Sequence, residues 1–229
     1  MSNSVNLTGE LIESGKSEGG LQVLPFYIVC DESSSMAGAS IQAVNDGIVE
    51  LFDEINADPI VDAKVRVGIV AFNDTARVLF PLTQLSDVTQ IPVCVARGSP
   101  SYAAAFRLLK TQLETDVSSL RQQFNVHRPC VFFMSDGAPN NENWRDELNK
   151  LVDANFKFSP NIVSFGVAGA EKTVIAEVAH WGSKTGTKTI VASAKSNQAA
   201  FQITDGATIG GNGPSGGGVT TFVIDPLNP

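Results

Sequence analysis

Positive charge is scarce in this 229-residue chain: 16 Lys and Arg stand against 24 Asp and Glu, a formal net charge of -8. The summed field repels phosphate backbones and anionic lipid surfaces, so neither nucleic acid nor a membrane is an expected partner. The first twenty residues, MSNSVNLTGELIESGKSEGG, have no basic start and no apolar stretch. They fit neither a signal peptide nor a membrane anchor, and a cytoplasmic location is expected. Cysteine occurs only three times, as Cys30, Cys94 and Cys130, an odd number without metal-ligand spacing. Such residues suit reduced thiols, and disulfides are not expected. Without secretion, the glycosylation triplets at Asn6 and Asn73 are empty matches. Histidine occurs twice, as His127 and His180, far apart and with no carboxylate or serine pattern around either, so structural roles are expected of both.

What the chain does have is an ordinary globular balance, 43% hydrophobic and 17% charged, enough apolar mass for one core. Residues 1–20 read as a flexible polar leader, 21–204 as one domain, and 205–229 as a Gly-rich tail carrying the strand-like VTTFVI at 219–224. Within the domain, LPFYIVC (24–30), VRVGIVAF (65–72), PCVFFMS (129–135) and NIVSFGV (161–167) are continuous apolar runs typical of strands buried on both faces. RVLFPLT (77–83) follows the turn at Asn73 and Asp74 as an antiparallel edge strand, where Pro81 is tolerated.

Between the strands lie helix-period stretches. Ile41, Val44, Ile48, Leu51, Phe52 and Ile55 form one stripe, and further helices are expected over 101–113, part of 116–125, 142–155, 172–180 and 196–203, with a strand at 188–192. Trp144 and Trp181 are expected to pack helices. This alternation predicts an α/β fold: a doubly wound, mostly parallel sheet with one antiparallel edge strand and helices on both faces. Ligands of such sheets bind beyond the carboxyl ends of the strands.

Two strand ends carry acids. The first strand runs into Asp31-Glu32-Ser33-Ser34-Ser35, a D-x-S-x-S string, and the strand at 129–135 ends in Asp136-Gly137. Asp31, Ser33, Ser35 and Asp136 all offer oxygen, the donor that hard cations such as Mg²⁺, Mn²⁺ or Ca²⁺ require. Two carboxylates aimed at one crevice repel each other unless a cation sits between them. The plainer reading of the string is a set of helix caps, since Asp and Ser are favoured at helix starts.

The combination of D-x-S-x-S after one strand and Asp-Gly after another resembles the von Willebrand factor A-type domain with its metal-ion-dependent adhesion site, over roughly residues 22–204. The resemblance implies a Rossmann-like fold, a shared divalent cation on Asp31, Ser33, Ser35 and Asp136, and an open metal position filled by a Glu or Asp of a protein partner. It implies no bond chemistry. The family usually supplies a further Thr from a G-G-T loop, and this chain has Arg97-Gly98-Ser99-Pro100-Ser101 there. Pro100 takes the Thr position without a side-chain oxygen, so Ser99 or Ser101 must substitute, and Ser99 is the preferred candidate. Asn140 and Asn141 follow the second acidic loop and could line its rim. The S-D-G at 135–137 and the compact form are similar to bacterial stress-associated members linked with tellurite resistance, often encoded beside a protein kinase and a phosphatase.

Two rival functions stand beside this one. An Asp ending the first strand of a doubly wound sheet could be a phosphoryl-accepting nucleophile with Asp136 as metal ligand, but phosphohydrolases of that type usually carry a second acid two residues on, where Ser33 stands. A metal-independent scaffold that lost its site through Pro100 is the other. G-x-S-x-G at 213–217 has no preceding strand, and Gly169–Thr173 lacks the first glycine of a phosphate loop, so neither motif carries weight.

Overall fold

The computed structural model describes residues 20–140, 143–167, 170–180 and the backbone of a strand at 191–193. The leader, Trp181, the helix expected at 196–203 and the tail with VTTFVI lie outside the described residues. Seven strands form one sheet: β1 (Gln22–Asp31), β2 (Val65–Phe72), β3 (Ala76–Thr83), β4 (Asn125–Val126), β5 (Cys130–Ser135), β6 (Asn161–Gly166) and β7 (Val191–Ser193). Their order is β3-β2-β1-β5-β6-β7, with β4 pairing the start of β1. Among the described strands only β3 runs antiparallel, against β2. Pro81 sits on this edge, where a missing N–H costs no ladder bond.

The continuous apolar runs are explained by cover on both faces. Tyr27, Val29, Val70, Phe72, Val131 and Phe133 point to one side, into a core shared with α3 (Tyr102–Leu120), α4 (Trp144–Val152) and α5 (Lys172–Val178). Phe26, Ile28, Val67, Ile69, Phe132 and Met134 point to the other, into a core closed by α1 (Ala39–Ala57). β1, β2, β5 and β6 thus alternate between two cores instead of between core and water.

The stripe from Ile41 to Ile55 lies on α1 as expected, and a separate short helix that the sequence did not suggest, α2 (Pro59–Lys64), follows it, capped by Asp58 and begun by Pro59. One helix expectation is corrected. The separate helix expected within 116–125 is the last part of α3, which runs unbroken from Tyr102 to Leu120. Leu113 and Val117, one helical turn apart, are both fully buried, so the core continues the helix through residues whose own propensity is modest.

Asp116 on α3 accepts a hydrogen bond from the buried Tyr27 hydroxyl at 2.7 Å. Burial pushes its carboxyl above the ordinary aspartate value, against the lowering effect of that bond. A raised folded value means that the folded state holds this proton more tightly than the unfolded chain does. The stability it contributes is present below about pH 4 and is lost as pH rises through the folded value. Asp116→Asn should keep the Tyr27 bond, raise stability at pH 7 and remove that decline, which urea unfolding at pH 4 and pH 7 would show.

Candidate metal centre

Asp31 is the last residue of β1, wholly buried, on the same face as Tyr27 and Val29. Its Oδ1 accepts the Ser33 N–H at 2.8 Å, closing the turn after the strand. Its Oδ2 accepts the Ser135 hydroxyl at 2.5 Å. That hydroxyl also receives the Tyr102 hydroxyl at 2.6 Å and the Gly137 N–H at 3.1 Å. An ionised carboxylate only accepts, so the single Ser135 proton goes to Asp31 and Tyr102 must donate to Ser135. Burial pushes the Tyr102 phenol up and keeps that proton on it.

Tyr102 is held in this role by packing. Its ring meets Phe133 at 4.9 Å, Phe72 at 5.6 Å and Trp144 at 5.6 Å, all with edge-to-face geometry. The aromatic core of one sheet face thereby fixes the orientation of the Asp31 carboxylate. Sequence reasoning missed Ser135 and Tyr102; the S-D-G triplet was visible, but which hydroxyl it would meet was not.

Ser33 is buried and Ser35 exposed, and their hydroxyl oxygens lie 3.0 Å apart. The capping reading of this string fails for the serine that precedes the first helical turn: Ser33 stands at the N-cap of the 3-10 turn Ser34–Met36, and its side chain makes no capping bond. Asp136 follows β5, half-buried, with its Oδ1 accepting the Ala138 N–H at 3.2 Å. Gly137 is required beside it: φ is 76°, and a Cβ there would come within 2.7 Å of the Glu171 backbone nitrogen.

The parallel pairing of β1 with β5 brings both carboxylates to one end of the sheet. Burial pushes the Asp31 carboxyl above its ordinary range, the Asp136 charge adds to the rise, and the Ser135 and Ser33 bonds oppose it. The arrangement is costly as two bare anions and is relieved by positive charge placed between them. Among the described residues no group of three or more His, Cys, Asp or Glu is placed to hold a metal ion. The donors assembled here are two carboxylates and serine hydroxyls.

The middle loop is knit to the first. The Arg97 N–H donates to the Glu32 carbonyl, the Ser34 N–H to the Gly98 carbonyl at 2.9 Å, and the Asn140 N–H to the Pro100 carbonyl at 2.9 Å. All three loops therefore meet, with the Asn140 backbone where two of them join; Asn141 lies outside the described residues. The two serines offered for the absent Thr differ. The Ser101 hydroxyl accepts the Ala104 N–H at 3.1 Å and caps α3. Ser99 is exposed, and its N–H donates to Asp74 at 3.2 Å. Gly98, with φ 74°, admits that Asp74 carboxylate against its Cα, since a Cβ there would lie 2.2 Å from Oδ2.

Glu32, a filler position in the D-x-S-x-S string, is fully buried and anchors the assembly. Arg77 on β3 grips it with both terminal nitrogens, at 2.5 and 2.9 Å, and the Val95 N–H donates to it at 2.9 Å. No sequence signal links Arg77 to Glu32; only the β2–β3 register, which sets Arg77 against Ala71, brings the fork to the carboxylate. The cysteines are free thiols, Cys30 and Cys94 buried and Cys130 partly so. No helix among the described residues is long and apolar enough to cross a membrane.

Comparison with known proteins agrees with this architecture. Among solved structures, the SpRpn10 VWA domain is similar with a TM-score of 0.51 and 16% identity, covering 75% of this chain and 88% of that one. Proximal thread matrix protein 1 from the mussel byssus is similar with a TM-score of 0.53 and 19% identity, over 77% of this chain and 45% of that one. The pilus adhesin SpaC from Lactobacillus rhamnosus GG, in its open conformation, reaches 0.58 at 13% identity, over 76% of this chain and 28% of that one. The chain thus spans less than half the length of the mussel and pilus proteins, and at these identities the likeness is one of fold. No curated protein matches the sequence significantly. The family model for the von Willebrand factor type A domain matches residues 26–209, and the chain belongs to that family.

Proposed function

We propose that the chain is a protein-binding module that holds a divalent cation on Asp31, Ser33, Ser35 and Asp136 and offers it to an acidic side chain of a partner. The observation that carries this reading is the meeting of two carboxylates, one buried and pushed toward its neutral form by burial and by the other, with a pair of hydroxyl oxygens 3.0 Å apart. Neighbouring ligands of an octahedral Mg²⁺, each about 2.1 Å from the ion, are about 3.0 Å apart, so the serine pair has the spacing of two adjacent donors. Ser99, whose hydroxyl is exposed and uncommitted among the described residues, completes the set in place of the family's Thr; Ser101 is already spent on its helix. When bound, the cation supplies a Lewis-acidic position for a carboxylate.

With only two carboxylates the donor set offsets a dication without excess negative charge, so a third, from a partner, is accepted where an all-carboxylate cage would repel it. A binding role is favoured over phosphoryl transfer because the position two residues after Asp31 holds a serine hydrogen-bonded to Ser35, with no acid to protonate a leaving group. The similarity of the S-D-G form to stress-associated bacterial members extends the proposal to a cytoplasmic, tellurite-resistance-like system with a protein kinase or phosphatase as partner. The three free thiols suit a reducing compartment.

Calorimetric titration of chelator-stripped protein with Mg²⁺ and with Mn²⁺ tests the reading. Saturable binding at one site is expected. Absence of binding for both ions would favour the metal-independent scaffold.

A further inference from the structure

Residues 93–97 lie outside the named strands and helices, and the exposure of their side chains alternates. Cys94 and Ala96 face the core, while Val93, Val95 and Arg97 face outward. Val93 is 61% and Val95 55% exposed, two of the most exposed large apolar side chains among the described residues. They do not sit on a loose loop. The Asn45 side-chain amide on α1 grips Cys94 on both sides, accepting its N–H at 2.8 Å and donating to its carbonyl at 3.0 Å. The buried Glu32 carboxylate takes the Val95 N–H, and the Glu32 carbonyl takes that of Arg97. The strap is clamped from both flanks, so its two valines are presented in a fixed arrangement that costs little order on binding. Its continuation, Gly98, accepts the Ser34 N–H from the loop that carries Ser33 and Ser35. Among the described residues no ion pair includes Arg97.

We infer that the strap is the second half of the partner's footprint, and that the partner is a protein segment in which the metal-seeking acid is accompanied by apolar residues. The inference rests on the proposed cation-dependent grip and specifies what lies beside it. A chain that delivers a carboxylate to the serine loop passes along residues 97–98 and lays its neighbouring side chains over Val95 and Val93, with the Arg97 guanidinium favouring a second acid between them. The charge pattern accounts for selectivity: a chain of net charge -8 repels acidic segments in general, and local positive charge at Arg97 and at the cation is what admits one here. Burying two valines that water now covers adds affinity and distinguishes this partner from any free carboxylate.

The test is selection from a random peptide library displayed on phage, against the immobilised full-length chain in Mg²⁺ with elution by chelator. It is run in parallel on a Val93→Ser Val95→Ser variant whose unfolding curve and Mg²⁺ titration match the wild type. Peptides sharing an acid and an apolar residue at constant spacing are expected from the wild type. The variant should keep the acid and lose the apolar preference, and the best selected peptide should bind it about tenfold or more weakly. An acid without any apolar preference, the same preference on the variant, or no chelator-released peptides from a chain that binds Mg²⁺ would each overturn the inference. If the titration shows no bound Mg²⁺, the cation reading itself falls and this one with it.

Discussion

Divalent-ion binding is expected to fall below detection in Asp31→Asn, with the fold retained, because the variant keeps the shape of the side chain and removes one of the two charges that would face the cation. Thermal unfolding gives the readout in both directions. Wild type should gain about 2.7 kcal/mol of stability at an Mg²⁺ concentration one hundred times its Kd, and the variant should gain nothing. Asp31→Ala should lose the ion equally and also weaken the apo protein. The structure shows two buried donors, the Ser33 N–H and the Ser135 hydroxyl, that end on this carboxylate. Leaving them without an acceptor costs about 1–3 kcal/mol each, offset in part by removal of a buried and repelled charge. A net loss of about 2 kcal/mol follows, with the fold intact. Metal-dependent stabilisation of either variant equal to that of wild type would move the cation to another place on the molecule.

The largest effect on stability is expected from Arg77→Ala. The Glu32 carboxylate has no exposure to water, and the guanidinium fork of Arg77 is its main counter-charge. The Arg77 side chain is 37% exposed, but its removal leaves the buried Glu32 carboxylate undersolvated, a loss of about 3 kcal/mol, at the low end for a buried pair, or roughly 6–12 °C in Tm for a domain of this size. Arg77→Lys should recover only part of it, since an ammonium cannot make two parallel bonds to one carboxylate. The damage should not stay local: Glu32 also holds the Val95 N–H, so the strap and the Ser99 loop loosen with it, and Mg²⁺ affinity should fall although no donor has been touched. A loss below 1 kcal/mol in chemical unfolding would mean that the Val95 N–H alone satisfies the carboxylate.

The same pair shows where sequence reasoning stops. Glu32 lies inside the very string that suggested the site, yet as one of its variable positions it carries no sign there of being buried. Its burial depends on a hairpin that bends Arg77 back over the end of β1, a contact between positions 45 apart. Pro100 is a similar case: its lack of an oxygen is plain in the sequence, whereas only the fold shows that the start of α3 claims the hydroxyl of its neighbour Ser101.

By itself the sequence determined the parallel sheet, its two-faced cover, the antiparallel edge strand and the two acidic strand ends. These follow from short-range rules: apolar runs mark strands buried on both faces, 3.6-residue periodicity marks their covering helices, and parallel strands place their last residues at one edge. Only the tertiary structure decided that α3 runs unbroken to Leu120, that Tyr102 and Ser135 orient Asp31, that Arg77 neutralises Glu32, and that Val93 and Val95 stand out beside the site. Each of these depends on which distant residues the folded chain brings within hydrogen-bonding or van der Waals reach. A hydroxyl or a valine carries no mark in the sequence of the neighbour it will meet or of the water it will keep.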